Sequence, residues 1–118
     1  MRATQAVGRY GERVAVDRLE RAGMRVLDRN WRCEEGELDI VALDGGCVVA
    51  VEVKTRRSLA CGHPFDAVTP VKARRLRGLA ARWLREHEQP CVGLRVDVVA
   101  VIRPPSGPAV VEHLRGVA

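Results

Sequence analysis

The residues best suited to chemistry are a carboxylate and an ammonium at the end of an apolar run. Residues 48–54 read VVAVEVK, and their β-branched composition predicts a strand. Because alternate side chains of a strand share a face, Glu52 and Lys54 point to the same side. Charges on an otherwise apolar strand need a partner, a solvated face or a function. Their chemistry therefore depends on what lies opposite Glu52.

A Gly-Gly turn joins this strand to the run before it. Asp44-Gly45-Gly46-Cys47 is typical of a two-residue hairpin turn, whose two central positions both favour positive φ. If Asp44 faces Cys47, the numbers of paired residues sum to 91, and Asp39 lies opposite Glu52. A four-residue loop keeps this alignment, whereas a three-residue loop destroys it.

Two opposed carboxylates repel each other unless a cation or a proton lies between them. A divalent metal is the simplest remedy, so Asp39 and Glu52 form a candidate metal site. The same register places Glu37 opposite Lys54. Lys54 is then either free to act at the carboxylate pair or held in a cross-strand ion pair with Glu37.

Length and composition predict one cytoplasmic domain, residues 1–118. The first eight residues lack the apolar segment of a signal peptide. No apolar run approaches the roughly 20 residues of a membrane span, so no membrane partner is expected. The scattered cysteines lack Cys-x-x-Cys spacing and are expected to be reduced thiols: Cys33, Cys47, Cys61 and Cys91.

The net charge of +5 is concentrated in one part of the chain. Residues 54–85 hold nine basic residues against the single acid Asp66. Arginine-rich segments of this kind suit a phosphate backbone, although a solvated helix face is the simpler alternative. The predicted nucleic-acid-binding residues are Arg56, Arg57, Lys72, Arg74, Arg75 and Arg82.

Periodicity and turn residues predict the order α-β-β-β-α-β-β. The predicted helices are residues 4–22 and 70–88, and the predicted strands are residues 24–33, 37–42, 48–54, 95–102 and 109–114. Leu38, Ile40 and Ala42 are expected to share one face of their strand. Thr69 is expected to cap the second helix.

For five individual side chains, the sequence leaves more than one position, role or partner to consider. Glu12 lies at the edge of the first helix's apolar stripe, where it either leans toward the sheet or stands in water. Lys72 falls in the apolar arc of the second helix and either reaches the acidic end of the sheet or extends to solvent. Trp31 is expected to pack rather than stack on a base, and His63 to be a loop contact rather than a metal ligand. Asp97 has three candidate partners, namely Arg95, a helix end or the acidic cluster.

Several motifs together resemble a known family. They are Gly11-Glu12, Asn30-x-Arg32, Gly36-Glu37-Leu38-Asp39-Ile40, Val51-Glu52-Val53-Lys54-Thr55-Arg56, Gly62, Lys72 and Arg95-x-Asp97. In this combination the chain resembles the YraN family, which is similar to archaeal Holliday-junction resolvases within the PD-(D/E)xK nuclease superfamily. The resemblance implies an α/β, restriction-endonuclease-like fold with a mixed central sheet flanked by helices.

The resemblance also implies roles. Asp39, Glu52 and the Val53 carbonyl would hold Mg²⁺ or Mn²⁺, Lys54 would position or deprotonate the attacking water, and Glu12 would be an outer or second-metal ligand. The implied function is a DNA endonuclease acting on branched DNA, and the similarity to resolvases implies a homodimer. The alternative is an inactive nucleic-acid-binding module with a nuclease fold, and RNA as the ligand is also open.

Overall fold

Five strands form one sheet with a helix on each face, in the predicted order. The computed structural model describes residues 3–58, 60 and 62–118. The elements are α1 (Ala3–Arg21), β1 (Arg25–Cys33), β2 (Gly36–Asp44), β3 (Cys47–Arg56), a 3₁₀ helix (Pro64–Ala67), α2 (Pro70–His87), β4 (Gly93–Ile102) and β5 (Val110–Leu114). The 3₁₀ helix was not predicted, because four residues are too few to show a period.

The sheet is mixed, which confirms the predicted fold class. Its strand order is β1-β2-β3-β4-β5. Neighbouring strands are antiparallel except β3 and β4, which run parallel and are connected through α2. Because parallel strands end at the same edge, the carboxyl ends of β3 and β4 lie side by side.

The hairpin between β2 and β3 has the predicted register. Asp44 pairs with Cys47, and the ladder continues to Ile40 opposite Val51, where it stops. Gly45 has a φ of +60°, but Gly46 does not have a positive φ. The expectation for two positive-φ glycines is therefore wrong, and the pattern is that of a type II′ turn.

Two apolar layers cover the faces of the sheet. The α1 layer contains Ala15, Leu19, Ile40, Val49, Val51, Val99 and Val101. The α2 layer contains Leu38, Val41, Ala50, Leu76, Ala80, Trp83 and Val96. Leu38 was predicted to share the face of Ile40 and Ala42 but packs in the α2 layer, beyond the point where the β2–β3 ladder has ended. Trp31 packs against the same layer, in agreement with its predicted role.

Local chemistry defines both ends of α2. The Thr69 hydroxyl accepts a hydrogen bond from the Lys72 amide at 3.1 Å, as expected of an N-cap, and Pro70 occupies the first turn. Glu88 ends the helix in the left-handed conformation, with a φ of 48°. These caps set where Lys72 lies relative to the sheet.

Two sequence predictions concern the cysteine thiols and membrane-spanning helices. Cys33, Cys47 and Cys91 are free thiols, and Cys61 lies outside the described residues. Within residues 3–58, 60 and 62–118, no helix is long and apolar enough to cross a membrane.

Candidate active site

Asp39 is held at the point where the β2–β3 ladder ends. Its Oδ2 accepts a hydrogen bond from the Val53 amide at 2.9 Å. In a continued ladder Val53 would face Leu38, but backbone pairing has already stopped at Ile40. The carboxylate therefore replaces a backbone acceptor, and this contact fixes Asp39 beside Glu52.

Asp39 and Glu52 interact as a coupled acidic pair. Burial, a hydrogen bond with Glu52 and the charge of Glu52 raise the pKa of Asp39 to about 7. Burial would also raise the pKa of Glu52, but hydrogen bonds from Asp39 and Lys72 outweigh it and lower that pKa. Ionisation of Asp39 is therefore disfavoured beside Glu52, as expected for opposed carboxylates without a cation between them.

Two lysines converge on one oxygen of this pair. Lys72 Nζ lies 2.8 Å and Lys54 Nζ 3.5 Å from Oε2 of Glu52, whose side chain is 9% exposed. Burial and the neighbouring Lys72 lower the pKa of Lys54, whereas the hydrogen bond with Glu52 raises that of Lys72. Lys72 thus reaches the acidic end of the sheet, one of its two predicted positions.

Of the two alternatives for Lys54, the cross-strand ion pair with Glu37 is not formed. Glu37 lies opposite Arg32 in the β1–β2 ladder, and the two side chains form an ion pair of 3.0 Å. β1 thus supplies the partner that sequence register had assigned to β3. Lys54 turns toward Glu52 instead.

Gly11 brings α1 close to the sheet and so positions Glu12. A Cβ added at Gly11 would lie 1.8 Å from Oγ1 of Thr55 in β3, so only glycine permits this approach. Glu12 Oε2 accepts a hydrogen bond from Asn30 Nδ2 at 3.2 Å and lies 3.7 Å from Nη2 of Arg29. Glu12 leans toward the sheet, but its carboxylate is held by β1 rather than by the Asp39–Glu52 pair.

Two grooves meet at Asp39 and Lys54. The α1-side groove, of about 680 Å³, is lined by Val7, Gly8, Glu12, Asp39, Val53, Lys54, Thr55, Arg56 and Arg57. The α2-side groove, of about 330 Å³, also contains Asp39 and Lys54, together with Glu52, Lys72 and Arg75. Asp39 and Lys54 are therefore reachable from both sides.

The predicted nucleic-acid-binding residues divide into three groups. Arg56, Arg57, Lys72 and Arg75 line the two grooves. Arg74 is exposed on α2 and forms no ion pair among the described residues. The prediction for Arg82 disagrees with its geometry, since its guanidinium lies 3.0, 2.8 and 2.6 Å from Glu34, Glu35 and Glu86.

His63 has a local structural role. Its Nδ1 accepts a hydrogen bond from the Phe65 amide at 3.1 Å, and its Nε2 lies 2.9 Å from Glu112. The first contact caps the 3₁₀ helix, and the second ties the loop to β5. His63 therefore belongs to the loop, as expected, and its ring contacts Phe65 and Glu112 of the protein itself.

A second buried acid, Asp97, lies in β4 and is fully satisfied. Its two oxygens accept hydrogen bonds from Arg95, His113 and the Gly116 amide, at distances of 2.8 to 3.2 Å. Of the three partners considered from sequence, Arg95 is observed. His113 was missed because nothing in its sequence context indicates that β5 lies against β4 at this position.

The donor set around Asp39 fits a hard cation. Two carboxylates and the Val53 carbonyl are oxygen ligands of the type that Mg²⁺ and Mn²⁺ prefer, and Mg²⁺ commonly binds through one or two carboxylates with water completing its shell. In the described part of the chain, no three His, Cys, Asp or Glu side chains gather at metal-binding spacing. Glu12 is thus outside the immediate donor set.

Comparison with known proteins identifies the family. Residues 11–101 match the family described as "Uncharacterised protein family UPF0102". A UPF0102 protein of Beutenbergia cavernae is 62% identical over 117 residues, covering 99% of each chain. Those of Kineococcus radiotolerans and Streptomyces coelicolor are each 58% identical, covering 100% of this chain and 98% and 92% of their own. The resemblance is therefore confirmed, and the chain belongs to the UPF0102 family, the YraN family.

Proposed function

We propose that the protein is a metal-dependent nuclease that hydrolyses phosphodiester bonds in DNA, with branched DNA as its substrate class. One observation carries this proposal. Asp39 and Glu52 form an acidic pair in which Glu52 is buried and Asp39 partly buried, and burial together with the neighbouring Glu52 raises the pKa of Asp39 to about 7. Such a pair, with Asp39 at the meeting point of two grooves, is suited to a divalent cation.

Asp39, Glu52 and the Val53 carbonyl would hold the cation. A bound Mg²⁺ or Mn²⁺ would supply Lewis-acid activation of water and stabilise the leaving oxygen. The Lys72 ammonium contacts Glu52 Oε2 at 2.8 Å and would compete with a cation for that oxygen. A cation bound there in its place would leave Lys72 free to contact a substrate phosphate.

Lys54 is suited to holding the attacking water. It lies beside Glu52 and lines both grooves, so its amine can reach a group in either of them. Its lowered pKa makes proton transfer easier than for an exposed lysine. Glu12 lines the α1-side groove, where it would orient water or a second cation from outside the immediate donor set.

The substrate follows from the groove chemistry. Arg56 and Arg57 line the larger groove and can hydrogen-bond phosphate oxygens. A substrate of this class implies that the protein works in the cytoplasm. Two cuts in a branched DNA need two sites, so the proposal includes a homodimer.

A cleavage assay tests the proposal. The protein is incubated with labelled junction, flap, single-stranded and duplex DNA and an RNA hairpin, in Mg²⁺ or Mn²⁺. We expect metal-dependent cleavage that falls by about 100-fold or more in Asp39→Asn and Lys54→Ala. Asp17→Asn is the matched control, because Asp17 is an exposed acid paired with Arg21. Cleavage of no substrate, or equal cleavage by Asp39→Asn, would contradict the proposal.

A second candidate is an inactive module that binds nucleic acid. It is favoured by Lys72, which already supplies a cation to Glu52, and by Glu12, which β1 holds away from the acidic pair. This alternative predicts salt-dependent binding, weakened by Arg74→Ala/Arg75→Ala, without turnover and without Mn²⁺ binding in paramagnetic resonance titrations. RNA binding at least as tight as DNA binding would indicate an RNA-binding scaffold.

A further inference from the structure

We propose that the nucleic acid follows a continuous basic track on the α1 side of the sheet, running from Arg103 past Asp39 to Arg9 and Arg32. The track extends the site in both directions and rests on the proposed function for the identity of its ligand. Neither Arg9, Arg32 nor Arg103 belongs to the basic segment that the sequence singled out. The occupant is a phosphodiester backbone, because the track offers guanidinium groups.

The grooves of this face share walls. Arg57 lines both the 680 Å³ groove and a groove of about 400 Å³ formed with Arg103, Pro104 and Pro105. On the other side, Gly8 and Glu12 line both the 680 Å³ groove and one of about 450 Å³ that contains Arg9, Asn30 and Arg32. The three grooves therefore adjoin one another, with Asp39 in the middle one.

Gly8 keeps the ridge between two of these grooves low. A Cβ added there would meet no atom within 4 Å, so the position faces open space. Glycine is otherwise unfavourable within a helix by about 1 kcal/mol relative to alanine. Because Gly8 has no side chain, a nucleic-acid strand has room to cross α1 between the middle groove and Arg9.

Arg103 is fixed in position at the other end of the track. It follows β4, and its amide donates to the Arg56 carbonyl at 2.8 Å. The parallel pairing of β3 and β4 thus brings Arg103 beside Arg56 and Arg57. The guanidinium carbon lies 4.8 Å from the centre of the Tyr10 ring, which orients the cation and leaves its hydrogen-bond donors available.

The α2 side is less suited to phosphate. Its groove carries Glu35, Glu37 and Glu52 beside Lys54, Lys72 and Arg75, and two of these bases, Lys54 and Lys72, are already paired with Glu52. The neighbouring Arg82 is already paired with three carboxylates. On the α1 side, Arg9 and Arg103 form no ion pair among the residues that the structure describes, and Arg32 is exposed although it pairs with Glu37.

A binding assay without metal tests the track. Fluorescein-labelled single strands and four-way junctions are titrated in EDTA, and anisotropy is followed at several salt concentrations. We expect Arg9→Ala/Arg103→Ala to weaken binding by about tenfold and to reduce the salt slope by about 2. The matched control is Arg18→Ala/Arg25→Ala, which removes the same charge from exposed residues elsewhere on α1 and β1.

The outcomes separate the track from the nuclease activity. Equal loss in the two double variants, or unchanged binding in Arg9→Ala/Arg103→Ala, overturns the track even if the protein cleaves DNA. Selective loss in Arg9→Ala/Arg103→Ala supports the track even if no substrate is cleaved, and the nuclease proposal then fails alone. Absence of binding by the unaltered protein overturns the track.

Discussion

Two buried acidic clusters on this sheet are stabilised in opposite ways. In the middle of β4, Asp97 is fully buried and is surrounded by donors from Arg95, His113 and the C-terminal backbone. Burial would raise the pKa of Asp97, but these hydrogen bonds outweigh it and lower the pKa. Arg95 in turn contacts Asp44 at 2.8 Å, so the charges are balanced within the fold.

In the cluster at the end of β3, both lysines contact Glu52, and Asp39 forms no ion pair among the described residues. Asp39 receives one backbone hydrogen bond, from Val53, but faces Glu52 and has a raised pKa. The lysines of this cluster both approach the same oxygen of Glu52. Unrelieved repulsion between two carboxylates lowers the stability of the fold, and such a loss of stability is typical of functional sites.

The comparison gives a physical criterion for separating the two roles. Asp97 ties the segment after β5 to β4, where the Val117 amide also donates a hydrogen bond to the Val96 carbonyl at 2.8 Å. Asp39 lines two grooves and Glu52 one of them, so the pair has room for a ligand. Donor count and accessibility, rather than burial, distinguish the structural acid from the candidate catalytic pair.

The largest expected effect is at Asp97. Replacing it with alanine removes the acceptor that Arg95, His113 and the Gly116 amide share and leaves Arg95 only Asp44, so we expect a loss of about 3 to 5 kcal/mol in the free energy of unfolding. Urea denaturation followed by circular dichroism measures this loss. Asp66→Ala, at an exposed acid, is the control and should change stability by less than about 0.5 kcal/mol. A loss at Asp97 as small as that of the control would remove the contrast between the clusters.

Asp39 should respond in the opposite direction. Asp39→Asn keeps an acceptor for the Val53 amide but removes the repulsion with Glu52. We expect the free energy of unfolding at pH 8 to rise by about 1 to 2 kcal/mol, a range reduced for solvent screening. Thermal unfolding without metal measures the change. Destabilisation by more than the error of the measurement would place Asp39 among the structural acids.

The smallest expected effect concerns how the stability of the fold depends on pH, because the contributions of Asp39 and Asp97 should change in opposite directions. Asp39 has a raised pKa, so the folded state binds its proton more tightly, and stability from this group is lost as pH rises from its usual range through about 7. Asp97 has a lowered pKa, so its contribution is present at neutral pH and is lost as pH falls below the usual range of an aspartate.

Paired denaturation curves measure these signs. Between pH 6 and pH 8, the unaltered protein should lose about 1 kcal/mol relative to Asp39→Asn. The free energy of unfolding of the unaltered protein minus that of Asp97→Ala should instead fall as the pH is lowered into the acidic range. The same subtraction for Asp39→Asn should rise as the pH is lowered. If both values change in the same direction with pH, the two clusters do not differ as described.

Much of the candidate site could be predicted because its signals are local. The turn at Asp44-Gly45-Gly46-Cys47 defines the hairpin register, and that register brings Asp39 to Glu52. Helical phasing likewise placed Lys72 on the face that meets the sheet. Each inference uses residues on one element or on two consecutive strands, where few alternative arrangements exist.

The remaining contacts depend on which side chains of neighbouring elements meet, and no local pattern gives this. β1 holds Glu37 through Arg32, although the two lie on consecutive strands, and it holds Glu12 through Arg29 and Asn30. Arg82 is likewise neutralised by two acids about fifty residues away.

The sequence by itself determined the order of the elements, the fold class and the proximity of the two acids, because periodicity and turn chemistry act over short distances. Only the tertiary structure decided where Lys54 points and which basic residues remain available for a ligand. These outcomes follow from where the β2–β3 ladder ends and from how closely α1 approaches β3 at Gly11. Such geometry depends on the packing of the whole sheet, so no local pattern in the chain records it.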